Sequence, residues 1–285
     1  MKRPAHRHLS DWLRERTATA SLSRQSVKLY RTACGLWIEW APGDPRKWQR
    51  RHVIAWLEEQ RTESTKRTYL KALRQFCGWM VERGVLDRDP TKGIPTPKVP
   101  KRIARPFTED EAQRLVDACP DRRARAIVLV ALQCGLRRAE LAALNVYDID
   151  AARGEVLVNG KGGKQRVVPI PGEALEAVNR YLDESPSSGP LFRSFVSDER
   201  LSTQTIWATV DRALRDAGVK RAAGDGRTLH ACRHTAASDV LDRSGSLVVV
   251  KELLGHASAI STEVYTRSRP SHELRDAVEG RRYTA

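Results

Sequence analysis

Five prolines fall between residues 89 and 106, at Pro90, Pro95, Pro97, Pro100 and Pro106. Proline lacks an N–H, fixes φ and pushes the residue before it out of the helical region, so neither a helix nor a central strand runs through such a stretch. The chain must therefore fold as two units, one on either side. The stretch also carries Lys92, Lys98, Lys101 and Arg102, which makes it a stiff basic segment. It either runs along a polyanion while two units grip opposite faces or serves as a plain spacer. On this division the chain reads as a helical domain over residues 1–90, a linker over 91–105 and a second domain over 106–285.

Charge is distributed unequally between the two. Residues 1–100 hold 21 Lys and Arg against 10 Asp and Glu, and the remainder 29 against 25, so most of the formal +15 lies in the first unit. A basic module joined to a more balanced one suggests a protein that clamps nucleic acid, the alternative being a merely soluble basic surface. With 285 residues and 40% of them apolar, each unit has material for a core. The five cysteines (Cys34, Cys77, Cys119, Cys134 and Cys232) are odd in number, scattered and without a Cys-x-x-Cys pair. That usage reads as reduced thiols in a cytoplasmic chain without structural zinc. No apolar segment follows the first charges, and no run of 18 apolar residues exists, so neither secretion nor a membrane span is expected.

From Leu9 to Arg83 apolar residues recur at helical spacing, with Trp12, Trp37, Trp40, Trp48, Trp56 and Trp79 among them, and about four amphipathic helices are expected. The tryptophans sit on the apolar phase and read as core rather than as base-stacking platforms. Ser23 is the expected cap of a helix ending before Pro42-Gly43, and Ser64 of another ending near Gly84. The latter carries Lys66, Arg67, Lys71 and Arg74 along one side. With little acid interleaved, phosphate contact is favoured over a solvated face.

In the second unit Thr108-Glu109-Asp110-Glu111 has the form of a capping box, and Ile127 to Cys134 is apolar apart from Gln133, which predicts a buried helix. That helix delivers Arg137 at its end or in the turn after it, and Glu140, three residues on, is placed to fix a guanidinium by an ion pair. Residues 155–159 and 165–170, joined by Gly160-Lys161-Gly162-Gly163-Lys164, predict a hairpin with a lysine at its tip. Spacing and residue types rule out a Walker loop. Helices are expected over 172–184, 202–217 and 270–280. His230 and Arg233, three apart, leave one face of a helix and converge on one anion; His256 follows a glycine, and Tyr265 lies nine residues further on.

Arg137, Lys161, His230, Arg233, His256 and Tyr265 together form a cationic, donor-rich set with one candidate nucleophile and no acidic pair for metal ions. A metal-free site acting at phosphorus must neutralise developing negative charge with fixed cations. A phenol with pKa near ~10 needs neighbouring positive charge or an imidazole to lose its proton. Lys161 is the mobile acid for a leaving oxygen, with Lys164 as its competitor; Arg138 competes with Arg137.

In order along the chain, Gly-Leu-Arg137-x-x-Glu-Leu, Gly-Lys161-Gly-x-Lys-x-Arg, His230-x-x-Arg233-His-Thr, Leu-Gly-His256 and Tyr265 resemble the boxes of the tyrosine recombinase (phage integrase) family. Residues 9–86 resemble its helical core-binding domain, and the short start is similar to Xer-like or simple mobile-element members. Cys232 and Cys134 stand where the family often has Leu and Thr. The resemblance implies a mainly α fold (α+β overall): an all-helical, SAM-like core-binding domain, then a mostly helical catalytic domain with a small β-hairpin or sheet. It implies that Tyr265 attacks a DNA phosphate to give a 3′-phosphotyrosyl link, with Arg137 and Arg233 clamping the phosphate. Lys161 is then the general acid, His230 assists proton transfer, and His256 orients and donates. Metal, ATP and other cofactors are not needed. The implied partners are double-stranded DNA recombination sites and a tetramer of protomers on DNA, with a second recombinase as an option, and Lys66, Arg67, Lys71, Arg74, Lys98, Lys101 and Arg102 as backbone contacts. The rival readings are a type IB topoisomerase-like nicking and closing enzyme and a DNA-binding accessory protein without chemistry.

Overall fold

In the computed structural model the residues described are 4–19, 22–99, 105–160, 163–183, 188–222 and 224–255. The chain divides into two compact units, Met1–Lys101 and Arg102–Ala285.

The first unit is built from α1 (Pro4–Ala18), α2 (Arg24–Trp40), α3 (Arg50–Glu58) and α4 (Glu63–Glu82). Ser23 caps α2 as expected, its hydroxyl accepting the Ser26 N–H at 3.2 Å. The cap of α4 is Thr62 rather than Ser64: Thr62 Oγ1 accepts the Thr65 N–H at 3.1 Å. The earlier start brings Glu63 into the first turn, where a carboxylate meets the positive end of the helix dipole. Trp12, Trp37, Trp48, Trp56 and Trp79 are buried as the periodicity predicts. Trp37 meets Trp48 and Trp56 edge-on, with ring centroids 5.3 and 5.6 Å away, while Trp12 stacks on Tyr30 at 5.8 Å and touches Phe76 at 5.4 Å. Trp40 departs from the expectation. It is 39% exposed at the last position of α2, and its indole N–H donates to Glu59 Oε1 at 2.8 Å.

The beginning of the proline segment is folded onto this unit by arginines. Thr91 and Ile94 are buried, Arg74 donates to the Ile94 carbonyl and to Thr96 Oγ1 (2.7 Å to the latter), and Arg50 donates to the Gly93 carbonyl at 3.2 Å.

The second unit begins with α5 (Glu109–Asp117) and α6 (Arg122–Gln133). The capping box at Thr108 is formed on both sides: Thr108 Oγ1 accepts the Glu111 N–H at 3.1 Å, and Glu111 accepts the Thr108 N–H at 3.0 Å. Every residue of α6 from Ala126 to Leu132 is buried. This helix is the axis of the unit, packed by α8 (Gly172–Leu182), α9 (Thr203–Asp216) and α10 (Leu229–Ser244). Between α6 and α8 lie α7 (Arg138–Ala143) and an antiparallel sheet of β1 (Ile149–Asp150), β2 (Glu155–Asn159) and β3 (Gln165–Pro169), in that order. The β2–β3 hairpin was expected; the two-residue β1 is too short to carry a period. Val156, Val158 and Val168 turn into the core. A final described helix, α11 (Leu247–Leu254), packs on α10. The helix expected over 270–280 lies outside the described residues.

Where the chain enters this unit it is fastened to α10. The Phe107 N–H donates to Thr235 Oγ1 at 2.8 Å, and Arg227 donates to the Pro106 carbonyl at 3.1 Å and to Glu111 at 2.8 Å. All five cysteines are free thiols, four of them buried and Cys119 partly so. Burial pushes every one of them up, to about 12 for Cys119, Cys134 and Cys232. Among the described residues no helix is long and apolar enough to cross a membrane.

Removing the ring that three other tryptophans contact leaves a large cavity. Trp37→Ala is expected to cost about 3–5 kcal/mol, read as a lower urea midpoint for the tryptophan-fluorescence transition.

Candidate active site

The site grows from the turn that follows α6. The helix stops after Gln133, and Gly135 takes φ +61°, a conformation in which an L side chain is strained. A Cβ there would also sit 3.2 Å from Ala236 Cβ of α10, so glycine lets turn and helix come close. Leu136 anchors the turn in the core and Arg137 follows as the N-cap residue of α7. Glu140 then reaches back: it accepts the Arg137 backbone N–H at 2.8 Å and Arg137 Nη1 at 2.7 Å. The ion pair expected from the spacing is formed.

Glu140 does more than that. Its carboxylate also receives Arg166 of β3 through two parallel bonds, Nη1 to Oε1 at 3.0 Å and Nη2 to Oε2 at 2.9 Å, and Arg233 Nη1 lies 3.9 Å from Oε2. Glu140 is nearly enclosed, with a side chain 4% exposed. Burial pushes its pKa upward, but the hydrogen bonds from Arg166 and Arg137 and the Arg166 charge outweigh it and hold the carboxyl down at about 2. Three guanidiniums thus gather about one carboxylate, and the neighbourhood keeps a positive excess.

Thr228 caps α10, its hydroxyl accepting the His230 N–H at 3.2 Å, so His230 is the second and Arg233 the fifth residue of the helix. Their positions differ. Arg233 is buried, at 1% exposure, and donates to the Gly135 carbonyl at 2.5 Å and the Leu254 carbonyl at 2.6 Å. His230 is open on one side and meets His234 edge-on at 4.6 Å. The desolvated part of its ring, with the charges of Arg233 and Arg137, pushes its pKa below the ordinary histidine value of 6.5. It is therefore a neutral imidazole at pH 7, able to accept a proton.

The structure brings Arg137 and Arg233 together around Glu140, with His230 near enough to feel both guanidinium charges. Lys161, His256 and Tyr265 lie outside the described residues, but the chain leading to two of them is in view. Gly160 donates to the Lys164 carbonyl at 2.7 Å across the base of the hairpin turn, and Gly255 ends α11 one residue before His256.

A family model described as the phage integrase family matches residues 105–272. Tyrosine recombinase XerC of Vibrio vulnificus is 33% identical over 228 residues, which span 77% of this chain and 71% of XerC. Tyrosine recombinase XerA of Pyrococcus furiosus is 38% identical over 191 residues, 64% of either chain. The chain is a member of the phage integrase family, a tyrosine recombinase of Xer-like type. In solved structures, an XerA recombinase aligns over 98% of this chain and 100% of its own, at TM-score 0.54 and 26% identity. A lambda integrase dimer bound to a COC′ core site aligns over 98% and 79% at TM-score 0.77 and 18% identity, a likeness of fold.

In this recombinase Arg166 is the arginine that closes the Gly-Lys161-Gly-x-Lys-x-Arg box, with no role assigned to it from sequence. The signal was there: positions 166 and 168 share one face of β3, Val168 is fully buried, and a cation on that face needs a buried anion. Of the basic residues expected on DNA, Arg67, Lys71 and Lys98 are exposed. Lys66 pairs with Glu63 at 2.7 Å, and Arg74 is taken up by the linker carbonyl. Lys101 and Arg102 lie outside the described residues.

Glu140 has its carboxyl well below the ordinary 4.5, so its contribution to stability is fully present above pH 4.5 and is lost as pH falls towards 2. Glu140→Gln should destabilise the recombinase by on the order of 3 kcal/mol at pH 7. The melting-temperature gap to wild type should narrow steadily between those two pH values.

Proposed function

We propose that this recombinase cuts and rejoins DNA at specific sites through a 3′-phosphotyrosyl intermediate on Tyr265, releasing a 5′-hydroxyl. The observation that carries the reading is the cluster of Arg137, Arg166 and Arg233 around the single carboxylate of Glu140, with neutral His230 beside them. Such an excess of fixed positive charge suits a scissile phosphate whose negative charge grows in the transition state. Arg137, 39% exposed at its side chain, presents donors to the non-bridging oxygens. Arg233 joins it by exchanging a backbone carbonyl for a phosphoryl oxygen, since a bond between two ions is the stronger of the two. His230 accepts the phenolic proton or passes it on, Lys161 protonates the leaving 5′-oxygen, and His256 orients and donates to the phosphate. Neither metal nor ATP enters, because the phosphotyrosine keeps the energy of the broken bond for resealing.

DNA is the partner, in keeping with the Xer relatives and the basic first unit. Arg67 and Lys71, four apart on one face of α4, and Lys98 take its backbone. Four protomers act on two sites.

Incubation with nicked duplexes from the ends of the host element, in the presence of chelator, tests this. Wild type should give a covalent protein–DNA band and Tyr265→Phe none; a band in both, or in neither, overturns the assignment. On a cleaved duplex the rate should hold from pH 8 down to about 6.5 and fall below that as His230 gains its proton. Replacing Arg67 and Lys71 together with Ala should reduce the magnitude of the slope of log K against log salt by about 2, measured by fluorescence anisotropy.

A further inference from the structure

We infer that Arg166 is a positioning residue for DNA cleavage, acting through Glu140 and the end of α11 to hold three site-bearing segments in one frame. The inference rests on the recombinase chemistry just proposed. Its geometric basis is that one planar group, carried by β3, reaches two other elements, α7 and the end of α11. The two Nη atoms of Arg166 fork onto the two oxygens of Glu140, and Nε donates to the Leu253 carbonyl at 3.0 Å. A guanidinium cannot bend, so the direction of the Glu140 carboxylate and the position of the α11 terminus are fixed relative to each other.

Each contact leads to a residue of the site. Glu140 Oε1, which receives Arg166 Nη1, also receives Arg137 Nη1 at 2.7 Å. Without Arg166 the carboxylate keeps the Arg137 backbone N–H on Oε2 but loses a bond from each oxygen, so Oε1, which carries the Arg137 guanidinium, is held less firmly. The Leu253 carbonyl lies two residues before Gly255, and Gly255 leans on the Arg166 side chain. A Cβ on Gly255 would stand 2.8 Å from Arg166 Cδ, and its φ of +60° already disfavours a side chain. The chain thus leaves α11 at Gly255 against the surface of Arg166, one residue before His256 in sequence. On its own strand Arg166 pairs with Val158, and the next pair, Asn159 with Gln165, closes beneath the turn that carries Lys161. All three guanidinium nitrogens of Arg166 donate to protein oxygens, and its two Nη atoms hold an ionised carboxylate, a stronger acceptor than the neutral carbonyls on Arg233, so it acts through other residues and not on DNA.

Lysine keeps the charge of arginine but has one ammonium, so it cannot bridge Glu140 and Leu253 at once. Arg166→Lys, Glu140→Gln and the double variant of the full chain are compared with wild type, using the nicked duplex on which wild type forms its adduct. Arg166→Lys should bind that duplex within about twofold of wild type and form the adduct about a hundredfold more slowly, the scale of a 1 Å misplacement. The double variant should be no slower than the slower single one, because both changes break the same connection. Glu140 faces Arg137 from α7, Arg166 from β3 and Arg233 from α10, so with the fork lost its carboxyl should rise from about 2 towards 4.5 and the acid-induced loss of melting temperature should begin at higher pH. Adduct formation at the wild-type rate in Arg166→Lys overturns the inference and leaves the recombinase reading standing. Effects of Arg166→Lys and Glu140→Gln that multiply fully, with rate loss tracking loss of melting temperature, reduce Arg166 to a fold-stabilising residue and also overturn it. If wild type forms no adduct, the recombinase reading fails and the positioning role goes with it.

Discussion

A carboxylate with almost no access to water has to be neutralised by what surrounds it, and around Glu140 that requirement organises the second unit. A buried ion pair is a weak source of stability, because desolvating both partners offsets most of their attraction. Here its effect is on geometry. The acceptor positions of one carboxylate are shared by a backbone N–H and two guanidiniums, with a third guanidinium 3.9 Å away. These groups come from the turn after α6, from β3 and from α10. None of these elements can shift by much without leaving a charge unpaired in a dry place. The site is thereby tied to the core of the unit, where α6 is buried from Ala126 to Leu132.

Much of this was legible in the chain. The proline run divides it, the apolar stretch from Ile127 gives the central helix, and two short apolar runs about a glycine-rich turn give the hairpin. Those features rest on strong local physics: a missing N–H, a period and a turn that needs glycine. The misses arose where two local choices were nearly equal or where partners are remote in sequence. Thr62 and Ser64 are both capping residues, and the position of Glu63 favours the first. Trp40 shares the apolar phase of α2 but stands at its last residue, past the reach of the core, and Glu59 nineteen residues away satisfies it. Arg166 and Glu140 are twenty-six residues apart. The spacing offers Glu140 a guanidinium three residues away, and nothing local says that the arginine of β3 joins it.

Arg233 shows the same limit within a recognised motif. Its spacing from His230 predicts a shared helix, and both lie near the start of α10. The enclosure of Arg233, with the carbonyls of Gly135 and Leu254 as its acceptors, depends on how the turn after α6 and the end of α11 approach α10, and no local pattern encodes that.

The full burial of four thiols and the partial burial of Cys119 have a practical side. A thiol reacts with alkylating reagents as the thiolate, and burial has pushed each native cysteine far above the pH of such reactions. The chain therefore supplies its own quiet background. A single cysteine introduced on the surface can carry a fluorophore or spin label while the native thiols stay in place, so the dye follows the folded protein without the cavities that removing Cys34, Cys77, Cys134 or Cys232 would open.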